Sequence, residues 1–260
     1  MANPENSKSQ ASRSPRVLVV VPCYNEEARL PSDRYTEFMR REKDFGFLFV
    51  DDGSGDRTFD VLQKLAAQNP GSCQILKLEK NSGKAEAVRR GFVQGLTSGS
   101  DYLAFWDADL ATPLEVLPTF LKIFEERPVL EMIFGARVKL MGHDIRRQTT
   151  RHYLGRIFAT FASHTLRLEI YDTQCGAKMF RKTDTLVRMF ETPFLSKWIF
   201  DVELIARFLK DKKPIRRDQI EALIYEMPLP AWYDVAGSKV KPGDFFKAIG
   251  ELWRIRSAYK

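Results

Sequence analysis

Three apolar runs each stop abruptly at a polar, acid-rich cluster, and this repeat limits the possible folds more than any other feature. Residues 16–22 read Arg-Val-Leu-Val-Val-Val-Pro and open into Cys23-Tyr24-Asn25-Glu26-Glu27. Residues 45–50 (Phe-Gly-Phe-Leu-Phe-Val) stop at Asp51-Asp52-Gly53-Ser54-Gly55-Asp56, after which Phe59, Leu62, Leu65 and Ala66 recur at helical spacing. Residues 101–110 run Asp-Tyr-Leu-Ala-Phe-Trp-Asp-Ala-Asp-Leu. Continuous apolar strands alternating with amphipathic helices predict an α/β, Rossmann-like fold: a mostly parallel sheet with helices on both faces. A chain of 260 residues is expected to form one such domain. In such sheets ligands bind beyond the carboxyl ends of the strands, where all three clusters fall.

Asp107 and Asp109 are spaced i, i+2, so at the end of an extended strand both carboxylates can face one point. Two hard oxygen ligands there suit Mg²⁺ or Mn²⁺, which complete their shells with water and substrate phosphates. Acidic helix caps and turns account well for Asp56. They account poorly for the doubled Asp51-Asp52 and for the 107/109 pair.

The net charge of +7 invites a nucleic-acid reading, but its distribution argues otherwise. From Arg137 to Arg156 there are six Lys or Arg against one Asp, and from Gly237 to Lys260 six against two acids. Two basic segments beside acidic strand ends fit anionic substrate phosphates or an anionic bilayer surface. No stacking or helix-turn-helix pattern supports nucleic-acid binding. Residues 1–15 are polar and read as a disordered tail without a secretory h-region, and no transmembrane helix is expected. Cys23, Cys73 and Cys175 suggest neither disulfides nor a metal site, so a cytoplasmic location is expected, with peripheral contact at the cytosolic membrane face.

In order and spacing these motifs resemble the family 2 glycosyltransferases of GT-A fold, particularly the polyprenyl-phosphate sugar transferases of the dolichyl-phosphate glucosyltransferase type. The resemblance rests on Val-Pro-Cys-Tyr-Asn-Glu-Glu (21–27), Val-Asp-Asp-Gly-Ser-Gly-Asp (50–56), Asn-Ser-Gly-Lys-Ala-Glu-Ala-Val-Arg-Arg-Gly (81–91) and Asp-Ala-Asp-Leu-Ala-Thr (107–112). It continues through Gly-Ala-Arg (135–137), Asp-Thr-Gln-Cys-Gly-Ala-Lys (172–178), Trp-Ile-Phe-Asp-Val-Glu-Leu (198–204) and Gly-Ser-Lys (237–239). It implies a donor half at about 16–137 and an acceptor half at about 138–260. Eukaryotic members carry an N-terminal membrane anchor, from which this sequence departs.

Carried over by position, the resemblance implies that Pro22, Tyr24 and Glu26 hold base and ribose and that Asp52 reads the uracil. Asp107 and Asp109 carry the metal that bridges the diphosphate, and Ala108 between them also lines the donor site. Lys84 lies near phosphate or is simply the first-turn lysine of a helix over 84–96. The metal-holding glutamine of mannosyl relatives is replaced by Ala111, as in glucosyl members. Arg137, after a predicted strand at 130–134, is expected to contact donor phosphate or acceptor. Arg151, with Arg147 as alternative, is expected to bind acceptor phosphate from a basic amphipathic helix over 146–168. Lys239 is expected to approach the diphosphate, and residues 172–176 to shape the sugar pocket. Asp201, on a helix over 197–210, is the inward acid, or else a residue placed to favour the helix dipole. A further helix over 113–127 packs on the core through Leu117, Phe120, Leu121 and Phe124. The activity implied is inverting transfer of glucose from UDP-glucose to a polyprenyl phosphate. A soluble acceptor, or a silent nucleotide-sugar-binding protein, are the competing readings.

Overall fold

A computed structural model describes residues 15–146, 149–234 and 244–259, with the backbone alone at 149–154 and 244–246. The chain begins with β1 (Val17–Cys23), α1 (Ser32–Arg41), β2 (Phe45–Asp51), α2 (Thr58–Gln68), β3 (Cys73–Lys77), α3 (Lys84–Gly95), β4 (Tyr102–Trp106), α4 (Val116–Glu126) and β5 (Met132–Ala136). It continues with β6 (Asp144–Arg146), α5 (Thr149–Leu166), β7 (Ala177–Arg181), α6 (Asp184–Glu191), α7 (Phe200–Asp211), α8 (Arg217–Glu221), β8 (Ile224–Pro228), β9 (Ala231–Tyr233) and α9 (Asp244–Ala258). Seven strands form one sheet in the order β3-β2-β1-β4-β7-β5-β8, and β6 pairs with β9.

The apolar runs decide the central strands. Every residue of β2 is buried, and in β1 only Pro22 is partly exposed, as a strand covered on both faces requires. Side-chain alternation then sorts them. Val17, Val19 and Val21 point into one core layer with Tyr35, Phe38, Leu62, Leu117 and Phe120 from α1, α2 and α4. Leu18 and Val20 point into the other, with Val88 and Phe92 of α3 and residues of α5, α6, α7 and α9. In that layer Phe92 stacks on Phe190 at 4.0 Å and meets Phe180 edge-on at 5.6 Å. Such aromatic pairs add about 0.5–1.5 kcal/mol each beyond area burial.

β1 pairs in parallel with β2 and β4, β2 with β3, and β5 with β8. β7 is the exception, lying antiparallel between β4 and β5. The carboxyl ends of β1, β2, β4 and β5 therefore share one edge of the sheet, facing the start of β7.

Several element boundaries differ from expectation. Pro15, expected to belong to the tail, packs on the sheet: its carbonyl accepts from Ser100 Oγ at 2.7 Å and its ring covers Gly46. The fifth strand lies two residues later than predicted, at 132–136, because Leu130 N still closes the preceding turn on the Arg127 carbonyl. The helix predicted from 146 starts at Thr149, since 144–146 is spent on strand β6. The helices expected over 113–127 and 197–210 begin at Val116 and Phe200.

Candidate active site

The β1 and β2 turns are tied together by side chain to backbone bonds. Asn25 N donates to Ser54 Oγ (3.0 Å), Glu26 N to Thr58 Oγ1 (2.7 Å), and Gly55 N to Asn25 Oδ1 (2.9 Å). Asp56 accepts from Thr58 and from Glu27 N, so its carboxylate serves the turns. Asp51 is fully buried; Oδ1 accepts from Ser54 N at 3.0 Å, while Oδ2 has no hydrogen-bond partner. Asp52 accepts from Ser82 N and Gly83 N, both at 2.8 Å, and each oxygen keeps a second lone pair. Burial raises the Asp52 carboxyl above its ordinary range, and these two N–H groups pull the other way. Gly83 (φ 92°) supplies the left-handed turn that brings its N–H onto Asp52 and starts α3. Pro22 and Tyr24 flank this turn half-buried; Glu26 is buried and paired with Arg29.

The turn carrying Asp107 and Asp109 is pinned from behind. Buried Trp106 donates Nε1–H to the Thr112 carbonyl (2.8 Å), Tyr35 donates to the Ala108 carbonyl (3.3 Å), and Tyr233 N to the Ala111 carbonyl (3.0 Å). Asp107 N donates to the Gly176 carbonyl at 3.0 Å, which fastens β4 to the start of β7. A Cβ built on Gly176 would lie 2.6 Å from Asp107 Oδ1 and closer still to Oδ2, so only glycine leaves room for that carboxylate.

Cations gather on both acids. Lys84 Nζ lies 2.5 Å from Asp107 Oδ1, and Arg29 Nη2 lies 3.8 Å from Asp109 Oδ2. Burial opposes the charge on Lys84, yet Asp107, Asp201 and Asp109 together hold its ammonium above the ordinary value. Burial, then the Asp107 charge, raises Asp109. Among the described residues no group of three His, Cys, Asp or Glu forms a ready metal cluster. Two carboxylates already drawing cations are the donor set of a hard divalent ion that completes its shell with water and diphosphate oxygens. The residues present fit Mg²⁺ or Mn²⁺.

Two further expected site residues, Arg137 and Asp201, carry ion-pair partners within the chain. Arg137 was expected to reach phosphate, but its guanidinium makes a two-point pair with Asp172, Nε–Oδ2 2.6 Å and Nη2–Oδ1 2.8 Å. Both side chains are nearly buried, and Trp232 lies 5.2 Å from the guanidinium. Burial works against that charge, but Asp172 more than offsets it and raises the Arg137 pKa. Asp201 was expected as an inward acid; it is buried against Lys178, whose Nζ donates to Asp201 Oδ1 and to the Cys175 carbonyl, both at 2.6 Å. Lys178 is fully buried in β7 and needs that carboxylate. Arg147 and Lys239 lie outside the described residues. Arg151 lies on α5, with its side chain outside the description. Sequence reasoning missed Arg29, Lys178 and Glu226, which accepts from Tyr171 N and Asp172 N. Only Lys178, at the end of the 172–178 motif, carried a signal.

This mixed sheet, with acids gathered at one edge, has the arrangement of the GT-A glycosyltransferases. The family model for glycosyl transferase family 2 matches residues 18–186, and the chain belongs to that family. The dolichyl-phosphate β-glucosyltransferase of Dictyostelium discoideum is 32% identical over 255 residues, covering 93% of this chain and 74% of that protein. The Homo sapiens protein of the same name is 32% identical over 266 residues, covering 95% and 77%. Among solved structures, glucosyl-3-phosphoglycerate synthase from Mycobacterium tuberculosis, in complex with Mn²⁺, UDP-glucose and phosphoglyceric acid, superposes with a TM-score of 0.65. It shares 17% identity, covers 96% of this chain and 83% of that one, and demonstrates the shared fold.

Proposed function

We propose that the chain transfers glucose from UDP-glucose to a polyprenyl phosphate of the dolichyl type at a membrane surface. The observation that carries this reading is similarity to dolichyl-phosphate β-glucosyltransferases across 93% of the chain, through the acceptor half as well as the donor strands. An acceptor-phosphate oxygen bonds to the anomeric carbon from the face opposite UDP. The C1–O bond to the β-phosphate breaks, its electron pair leaves with UDP, and the α-linked sugar becomes β-linked.

Each residue has a task in that reaction. Tyr24, Glu26 and Asp52 line the base and ribose end, Asp52 through its remaining lone pairs. Asp107 and Asp109 would hold Mg²⁺ or Mn²⁺, which neutralises charge on the departing diphosphate when bound. Lys84 adds a fixed positive charge beside them. Arg137 clamps the 172–176 segment through Asp172 and so positions Gly176 and Asp107. A phosphate acceptor is already anionic near neutral pH and needs no general base, which agrees with Asp201 being held by Lys178. Arg151, or Arg147 near it, would bind the acceptor phosphate and Lys239 the diphosphate. Among the described residues no helix is long and apolar enough to cross a membrane.

The test uses labelled UDP-glucose, Mn²⁺ and a short polyprenyl phosphate, with UDP-galactose and GDP-mannose as competing donors. Label should pass from UDP-glucose into the organic phase on extraction. Arg151→Ala should raise the acceptor KM and leave UDP affinity unchanged. Label found only in water-soluble product would give the chain a soluble acceptor, as the name of the M. tuberculosis enzyme implies for that protein.

A further inference from the structure

A second cleft lies between the last turns of α5, α7 and α9, with a volume of about 330 Å³. The 1.5 Å rise per residue places Leu209 about 12 Å along α7 from Asp201, so this cleft is remote from the Asp107/Asp109 edge. Leu166, Leu209 and Ile255 line it with apolar surface, and Arg167, Lys213 and Arg256 add three cations.

Those cations are uncompensated. Among the described residues none of the three makes an ion pair or a side-chain hydrogen bond. Neighbouring cations at this end do have partners: Arg188 pairs with Asp211 and Lys212 with Glu131. Tyr259 also lines the cleft, but its hydroxyl is spent on Glu203 Oε1 at 2.7 Å, which leaves the ring as apolar wall. Arg167 adopts φ 53° at the end of α5, a conformation that glycine usually supplies at a helix end, yet the chain keeps a cation there.

Three unpaired cations around an apolar floor complement a ligand with both an anionic head and an aliphatic chain. The volume falls in the range of small-molecule sites. We infer that this cleft binds an anionic amphiphile, a phosphate head on a single alkyl or prenyl chain. The cleft shares no residue with the donor edge, but a prenyl phosphate is also the acceptor in the transferase reading, so the test is run with the acceptor site disabled by Arg151→Ala.

Calorimetry with monomeric dodecyl phosphate tests it. The Arg151→Ala chain, with the acceptor site disabled, should bind one molecule, with inorganic phosphate at least ~100-fold weaker and dodecyl maltoside not at all. Arg167→Glu/Arg256→Glu should weaken dodecyl phosphate at least ~10-fold, while UDP binding with Mn²⁺ stays unchanged. Leu209→Trp, which fills the floor, should weaken it without altering charge. A second arm with phosphatidic acid vesicles separates a free ligand from a bilayer: binding to vesicles alone would make the cations a surface patch and overturn the cleft assignment. Equal affinity in the charge-reversed variant, equal binding of inorganic phosphate, or no binding to the Arg151→Ala chain would each overturn it as well.

Discussion

Gly176→Ala isolates the placement of one carboxylate from the stability of the fold. Gly176 does not occupy the left-handed region, so alanine can adopt its backbone; glycine is there for space. The new Cβ would lie 2.6 Å from Asp107 Oδ1 and closer still to Cγ and Oδ2, against the 3.4 Å at which ordinary contact begins, so the whole carboxyl group must retreat by about 0.8 Å or more. The obstructing atoms end a short side chain with one exposed edge, so Asp107 yields by rotating. An off-rotamer displacement costs about 0.5–1.5 kcal/mol. In a domain of this size that is a fall in Tm of about 2–5 °C. Activity should suffer far more, since misplacing a group by about 1 Å can cost ~100-fold. The assay pairs thermal denaturation with kcat/KM for UDP-glucose and a Mn²⁺ titration. A folded variant with activity within about 3-fold of wild type would show that the Asp107 position does not matter. A fall in Tm beyond about 10 °C would show that the backbone, not the side chain, gives way.

Asp109→Asn should lower turnover at least ~100-fold, and excess EDTA should abolish wild-type activity; full activity in EDTA would remove the metal from the mechanism. Arg137→Met leaves Asp172 buried without its partner and should destabilise the chain by about 3–5 kcal/mol in urea titration. A stable but inactive Arg137→Met would return Arg137 to direct phosphate contact. Because burial raises the Asp52 carboxyl, its ionised form is disfavoured in the folded chain. The unliganded protein should therefore lose stability as pH rises from the ordinary carboxylate range through the raised value, and Asp52→Asn should remove that part of the slope. Uridine-nucleotide affinity should run the other way, falling as pH drops through the raised value; parallel slopes would exclude Asp52 from base binding.

The strands whose burial comes from local composition were legible. β1, β2 and β4 are apolar runs with polar ends, and their acids lie at one edge as the pattern requires. β7 was not, because Ala-Lys-Met-Phe-Arg is short and its central lysine is fully buried. What makes that burial tolerable is Asp201, 23 residues away and visible only in three dimensions. The partner of Arg137 was hidden in the same way: Gly-Ala-Arg at a strand end gives no sign of the Asp172 carboxylate, 35 residues on, that pairs with it. β6 escaped notice because two of its three residues are charged and its partner β9 begins 87 residues later. Charges near the site were thus easy to find, whereas their engagement depended on distant partners.

The insertion of β7 between β4 and β5 also sets an order of assembly. When β4 leaves the ribosome, the edge that faces away from β1 has no neighbour, and Ala177 is about 70 residues further along. At ordinary synthesis rates that gap is about 4–14 s, during which an apolar strand edge stays open to wrong pairing. A fragment ending near residue 137 would carry β1, β2, β4 and their acidic turns yet never acquire the strand that covers β4, nor the Gly176 carbonyl that receives Asp107 N. Residues 16–137 are therefore not an independent folding unit, since the strand that covers β4 arrives only with the later chain.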